Sequence, residues 1–201
     1  LADAEALQAA ITPQSRVLVV GAGLIGLKCV EGIAESVKEV CVVDLADRVL
    51  SSILNAEAAA VMQRYLEGRG IKFIMGDCVA EFKENVAVLQ NSGQQLEFDV
   101  LVMAVGVRPN SGLLAAAGAE CDRGVLVDEH CQTSLPEVWA AGDCTQGFDL
   151  VSGERRILAL LPNAYMQGDC AGANMAGQGE EFCTGMAMNS IGFWDKHIMS
   201  A

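Results

Sequence analysis

The stretch RVLVVGAGLIGLKCVEGIAESVKEVCVVD, Arg16 to Asp44, leaves the fewest choices for how this chain folds. An apolar run of strand length, Val17 to Val20, stops at Gly21, and Gly21, Gly23 and Gly26 then stand in the spacing GxGxxG before a segment of helical periodicity. A second β-branched run, Val40 to Val43, ends at Asp44. Strand, turn, helix, strand, acid is the order a dinucleotide-binding unit requires, and each glycine has its own task. The first allows a tight turn, the second lets a pyrophosphate approach bare backbone, and the third lets the helix pack closely on the strand. The phosphates are expected at the helix N-terminus, at Leu24 and Ile25, where unpaired N–H groups and the positive dipole end meet them. Asp44, eighteen residues past Gly26, can accept hydrogen bonds from an adenosine ribose. Its carboxylate repels a 2′-phosphate and Leu45 and Ala46 offer no cation, so NADH is expected over NADPH. Arg48 is a candidate phosphate contact, with a local cap or ion pair as the alternative reading.

The remainder of the first half continues the same grammar. Leu1 to Ile11 reads as a short helix closed by Pro13. Asn55 is placed to cap a helix over Ala56–Glu67 that ends at Gly68 and Gly70, and a strand follows at Ile71–Met75. Cys78–Lys83, Val86–Gln90 and Gln95–Phe98 read as an antiparallel meander with its second turn at Asn91, Ser92 and Gly93, before a core strand at Asp99–Val105. Val105 and Gly106, at the end of that strand, are placed to approach the nucleotide. Beyond Pro109 the spacing predicts a short helix at Leu113–Ala117, strands at Val125–Val127 and Val138–Ala141, a polar loop with Arg155 and Arg156, and a helix over Pro162–Ala176.

Composition narrows the partners. A formal net charge of −13 with 13 Lys and Arg excludes nucleic acid and disfavours an anionic membrane surface, because both demand clustered cations. The eight cysteines are scattered through apolar stretches without a CxxC, which fits free thiols in a reducing compartment, and no run of about 20 apolar residues spans a bilayer. A cytoplasmic location is expected. Hydrophobic residues are 52% and aromatics 5%, so the core must rest on aliphatic side chains, as in an α/β protein.

Four segments, VLVVGAGLIGL, VCVVDLADRVL, VLVMAVGVRPNSGLL and RGVLVDEHCQTSLPEVWAAGDC, resemble the FAD-dependent pyridine nucleotide-disulfide oxidoreductases. The branch is the one with NADH oxidases, coenzyme A disulfide reductases, rubredoxin reductases and NADH-dependent nitrite reductases. PNAYMQGDCAGANMAG and AMNSIGFWDKHIMSA are similar to nitrite reductase-like members in a looser way. The resemblance implies a doubly wound, Rossmann-like NAD(H)-binding domain with a β-meander crossover at residues 1–110. It implies the C-terminal half of an FAD-binding domain at 111–187 and the start of an interface domain at 188–201, through which a homodimer forms. It also implies FAD in the intact protein, with Gly142 and Asp143 of AAGDC at the ribityl chain, and an internal fragment that lacks the first FAD motif and any redox cysteine. Hydride then passes from NADH to FAD and on to an electron acceptor that the residues do not identify. The alternative is a non-catalytic NAD(H) sensor or assembly module. One departure stands out: Lys28 occupies the position where many members carry Glu, with Glu31 one turn later. His130 and His197 read as surface or interface residues, and Cys144 as a small residue beside the flavin site rather than a redox thiol.

Overall fold

Strand β1 (Arg16–Val20) is apolar on both faces, and all of it but Arg16 is buried, because it lies inside a sheet covered from both sides. The computed structural model describes residues 2–200. Helix α1 (Ala2–Ala10) precedes β1, and the part of that helix expected at Leu1 lies outside the described residues. Helix α2 (Leu24–Ile33) leads to β2 (Glu39–Asp44), and α3 (Ala56–Glu67) to β3 (Lys72–Met75). Asn55 caps α3 as its residue type predicts, its side chain accepting the Ala58 N–H at 2.9 Å. The meander follows as β4 (Val79–Lys83), β5 (Val86–Leu89) and β6 (Gln95–Glu97), then β7 (Val100–Met103). The parallel sheet has the order β3-β2-β1-β7, so β7 pairs on the far side of β1 and the direction of strand addition reverses there. This is the doubly wound α/β arrangement the motif predicts.

Alternation sorts the strand residues. Leu18, Val20 and Val43 face the meander and form one core with Ala87, Leu89 and Phe98. Val17, Val19 and Val42 point to the opposite face and are equally buried, as are Leu27, Val30 and Ile33 of α2 and Ala59, Met62 and Leu66 of α3.

At the N-terminal edge of the sheet, Arg16 donates from Nε and Nη2 to Asp99 at 3.1 and 2.9 Å and also pairs with Glu97, while its backbone N–H reaches Asp99 at 2.8 Å. The Arg16 side chain first, and then its N–H, hold the Asp99 carboxyl at about 2, against 3.8 for a free side chain. A carboxyl that ionises more readily in the folded chain adds stability above the unfolded value, and that stability disappears as pH falls toward the folded one. Melting followed by circular dichroism is therefore expected to show Tm dropping between about pH 4 and 2, and Asp99→Asn should flatten that slope. Identical slopes for the two proteins would remove this account.

The chain divides into two units, residues 2–106 with Ile191–His197, and Val107–Ser190 with residues 198–200. The second unit holds α4 (Gly112–Ala116), β8 (Val125–Leu126), β9 (Thr145–Phe148), β10 (Arg155–Arg156) and α5 (Leu161–Met175). Its sheet runs β10-β9-β8, with β8 and β9 parallel and β10 antiparallel. Two expectations are corrected here. Val138–Ala141 is no strand but meets its neighbour only at the bridge Gln132–Trp139, because Glu137 and Cys131 take left-handed backbone angles, φ 58° and 57°, that interrupt a ladder. Arg155 and Arg156, expected in a loop, extend to pair with Phe148 and Gly147. The strands β11 (Asn189–Phe193) and β12 (Lys196–Ser200) pair with each other near the end of the chain.

A candidate dinucleotide cavity

The C-terminal ends of β1, β2, β3 and β7 meet around a cavity of about 480 Å³ lined by Gly21, Gly23, Asp44, Asp77, Val105 and Gly106 among others. The three glycines occupy three different environments. Gly21 has φ 114° and a β-carbon there would lie 2.3 Å from the Ala104 carbonyl oxygen. A β-carbon on Gly26 would lie 2.0 Å from the Gly21 carbonyl oxygen. Gly23, the residue before α2, would point its β-carbon into open space, with nothing within 4 Å. The protein itself thus forbids a side chain at Gly21 and Gly26, while at Gly23 only something outside the protein would be obstructed. The first-turn N–H groups of α2 have no intrahelical acceptor, and this bare backbone stands in front of them.

Asp44, at the end of β2, accepts the Ala22 N–H at 2.6 Å and the Ala46 N–H at 2.8 Å. Its carboxylate is therefore fixed in direction, tied to the glycine loop by one oxygen and to its own turn by the other. The Leu50 N–H, from a residue held at φ 52°, donates to the Ala22 carbonyl at 2.9 Å and braces the same loop. Among the described residues, those that line the cavity include two carboxylates, Asp44 and Asp77, and no Lys or Arg.

Of the residues the motif singles out, Gly21, Gly23, Asp44, Val105 and Gly106 come together at this cavity. Gly26 packs beneath the turn, and Ile25 is largely exposed beside Leu24 at the start of α2. Arg48 donates to the Asp47 carboxylate at 2.8 Å and to the Leu54 carbonyl at 3.3 Å, the local pairing that competed with phosphate contact. The sequence reading missed Asp77 and Cys78. Their position just past the third parallel strand was the available signal, since strand ends of such sheets rim the ligand crevice.

Lys28 pairs with Glu31 and donates to the Gly192 carbonyl at 3.0 Å, its ammonium standing 5.5 Å from the centre of the Phe193 ring. Glu31 also accepts the Trp194 N–H, and Arg69 lies over the Trp194 ring while donating to Asp195 at 2.8 Å. Lys28 is thus engaged with residues 191–197 on the outer face of α2.

In the second unit, Gly142 takes φ 84° and its N–H donates to Gln167 Oε1 at 2.7 Å, while its carbonyl accepts both the N–H and the hydroxyl of Thr145. Gln167 is a buried residue of α5, so the turn is pinned from inside. Asp143, next along, is exposed, and its carboxylate has no hydrogen bond or ion pair among the described residues. Cys144 directs its thiol at the Ala141 carbonyl, 3.5 Å away. All eight cysteines are free, and burial pushes Cys131 up to about 12. Among the described residues no helix is long and apolar enough to cross a membrane.

The family model described as pyridine nucleotide-disulphide oxidoreductase matches residues 1–168. An NADH oxidase from Methanocaldococcus jannaschii is 36% identical over 170 residues, covering 83% of this chain and 38% of that protein. The epsilon subunit of an NADH-dependent phenylglyoxylate dehydrogenase from Aromatoleum evansii is 31% identical over 206 residues, covering 100% of this chain and 48% of that one. Among solved structures, a ferredoxin reductase from Rhodopseudomonas palustris superposes with a TM-score of 0.88 at 29% identity, over 97% of this chain and 49% of that one. The chain therefore spans less than half the length of these relatives.

Proposed function

Because the chain belongs to the pyridine nucleotide-disulphide oxidoreductase family, we propose that it is the NAD(H)-binding portion of a flavoprotein oxidoreductase that passes hydride from NADH to FAD and on to an electron acceptor. The observation that carries this reading is the cavity at the strand ends. Two glycines are required by protein packing and a third is required by nothing in the protein, beside a fixed carboxylate and a helix N-terminus. The pyrophosphate would lie over Gly23 against the first turn of α2, and Asp44 would accept from the adenosine ribose. With Asp77 as a second carboxylate and no lining cation, a 2′-phosphate meets only repulsion, so NADH is preferred.

Bound FAD would supply the hydride-accepting and electron-transferring chemistry that no side chain performs. Asp143 fits the flavin portion of that reading. It is exposed, unpaired and set on a turn clamped by Gln167 against α5, where a hydroxylated chain could be received. Residues 111–187 are then part of an FAD-binding domain, and 188–201, of which 191–197 pack on the first unit, lead into an interface domain that supports a dimer, in a cytoplasmic enzyme.

The reading is tested by titrating the chain with NADH and with NADPH in a calorimeter. Saturable NADH binding with NADPH about tenfold weaker or more is the expected result. Binding of neither, or tighter binding of NADPH, would sink it.

A further inference from the structure

The wall of the cavity contains a carboxylate whose hydrogen-bonding capacity is spent entirely on protein. Asp77 is 4% exposed. One of its oxygens accepts the N–H groups of Cys78 and Asn91, each at 2.8 Å. The other accepts the Ser92 N–H at 3.0 Å and the Ser92 hydroxyl at 2.7 Å. Asn91 and Ser92 form the tip of the turn between β5 and β6, so this carboxylate fastens the meander to the three-residue link Gly76–Cys78. The Asn91 amide adds a bond to the Gly76 carbonyl at 2.9 Å, and the Gln90 N–H one to the Cys78 carbonyl at 2.8 Å.

The opposite side of the link holds the cofactor-facing acid. The Gly76 N–H donates to the Ala46 carbonyl at 2.8 Å and the Asp77 N–H to the Asp44 carbonyl at 3.2 Å. Beside the pairing of Asp44 with Met75 and the carboxylate's own bonds to Ala22 and Ala46, residues 44 and 46 are thus also held by two backbone bonds whose donors the meander turn holds. We propose that Asp77 is a positioning residue for the nucleotide cavity, steadying through the Gly76–Cys78 link the backbone that carries the Asp44 carboxylate and, with its own charge, biasing the choice between NADH and NADPH. This rests on the nucleotide-binding reading above.

The chemistry separates this role from ordinary turn closure. Replacing Asp77 by Asn substitutes an N–H donor for one of two acceptor oxygens, and that donor then faces the Ser92 N–H, so the link loosens where it supports Asp44. A ribose diol needs a carboxylate held in one direction, whereas a 2′-phosphate gains from the loss of a nearby negative charge. Asp77→Asn is therefore expected to weaken NADH binding about tenfold while NADPH affinity changes by less than about threefold, so that the preference narrows. Ser92→Ala, which removes one of the four bonds and keeps the charge, should narrow it in the same direction by less and guards against a poorly folded Asp77 variant. Asp99→Asn, at the other end of the sheet, serves as the control for general loosening.

All four proteins would be titrated with both nucleotides by calorimetry. A wild type that binds neither nucleotide removes the functional reading and this proposal together. A wild type that prefers NADH, with equal weakening of both nucleotides in Asp77→Asn, with no weakening, or with the same narrowing in Asp99→Asn, overturns the proposal alone.

Discussion

Gly26→Ala is expected to lower Tm by about 4–8 °C, while Gly32→Ala in the same helix is expected to leave it unchanged or raise it by a few degrees. Both substitutions replace a helical glycine by the best helix former, which taken alone stabilises by about 1 kcal/mol. The surroundings decide the sign. A β-carbon on Gly32 meets nothing within 4 Å, whereas one on Gly26 falls 2.0 Å from the Gly21 carbonyl oxygen and 3.3 Å from the Ala104 β-carbon. The obstacle at Gly26 is backbone, which cannot rotate away as a side chain would. Relief requires α2 to back off β1, at a cost on the order of 3 kcal/mol that exceeds the gain in helix propensity. Differential scanning calorimetry of the two variants beside the wild type reads the contrast directly. Equal shifts would mean that α2 does not pack as closely against the turn as described.

Asp44→Ala is expected to reduce NADH affinity about thirtyfold, near 2 kcal/mol, and to change NADPH affinity by less than about threefold. Hydrogen bonds to an ionised acceptor are the stronger kind, and the ribose diol would lose its acceptor altogether. The variant also strands the Ala22 and Ala46 N–H groups that Asp44 now satisfies, so part of the loss comes from a loosened glycine loop. For NADPH this loss is offset by removal of a repelling charge. Calorimetric titration with both nucleotides checks the expectation, and an unchanged preference would show that Asp44 does not read the ribose.

The parts of this molecule that were legible in its sequence are those whose physical cause lies within a few residues. Gly21, Gly23 and Gly26 answer to one turn, and Asn55 to the helix that begins beside it. The parallel strands β1 and β2 declare themselves as short β-branched runs because both faces are covered. What escaped depends on partners far along the chain. Thr145–Phe148 has neither alternation nor β-branched density, and becomes a strand only because β8 and β10 flank it. Val138–Ala141 has the right composition but is interrupted by left-handed angles at Glu137 and Cys131 that no local pattern announces. Asp77 looks like an ordinary turn aspartate until Asn91 and Ser92, some fifteen residues on, fold back onto it. The Arg16–Asp99 pair spans 83 positions and has no local signature at all.

Residues 191–197 belong with the first unit although 84 residues of the second are translated before them. Phe193 among them is wholly shielded from solvent, and Lys28, Glu31 and Arg69 all hold that segment. During synthesis the parallel sheet and its two helices can assemble from neighbouring sequence, but the outer surface of α2 and α3 stays bare until residues 191–197 emerge. Completion of the first unit is therefore a long-range event, and until it occurs the surface that receives Phe193 is open to wrong partners.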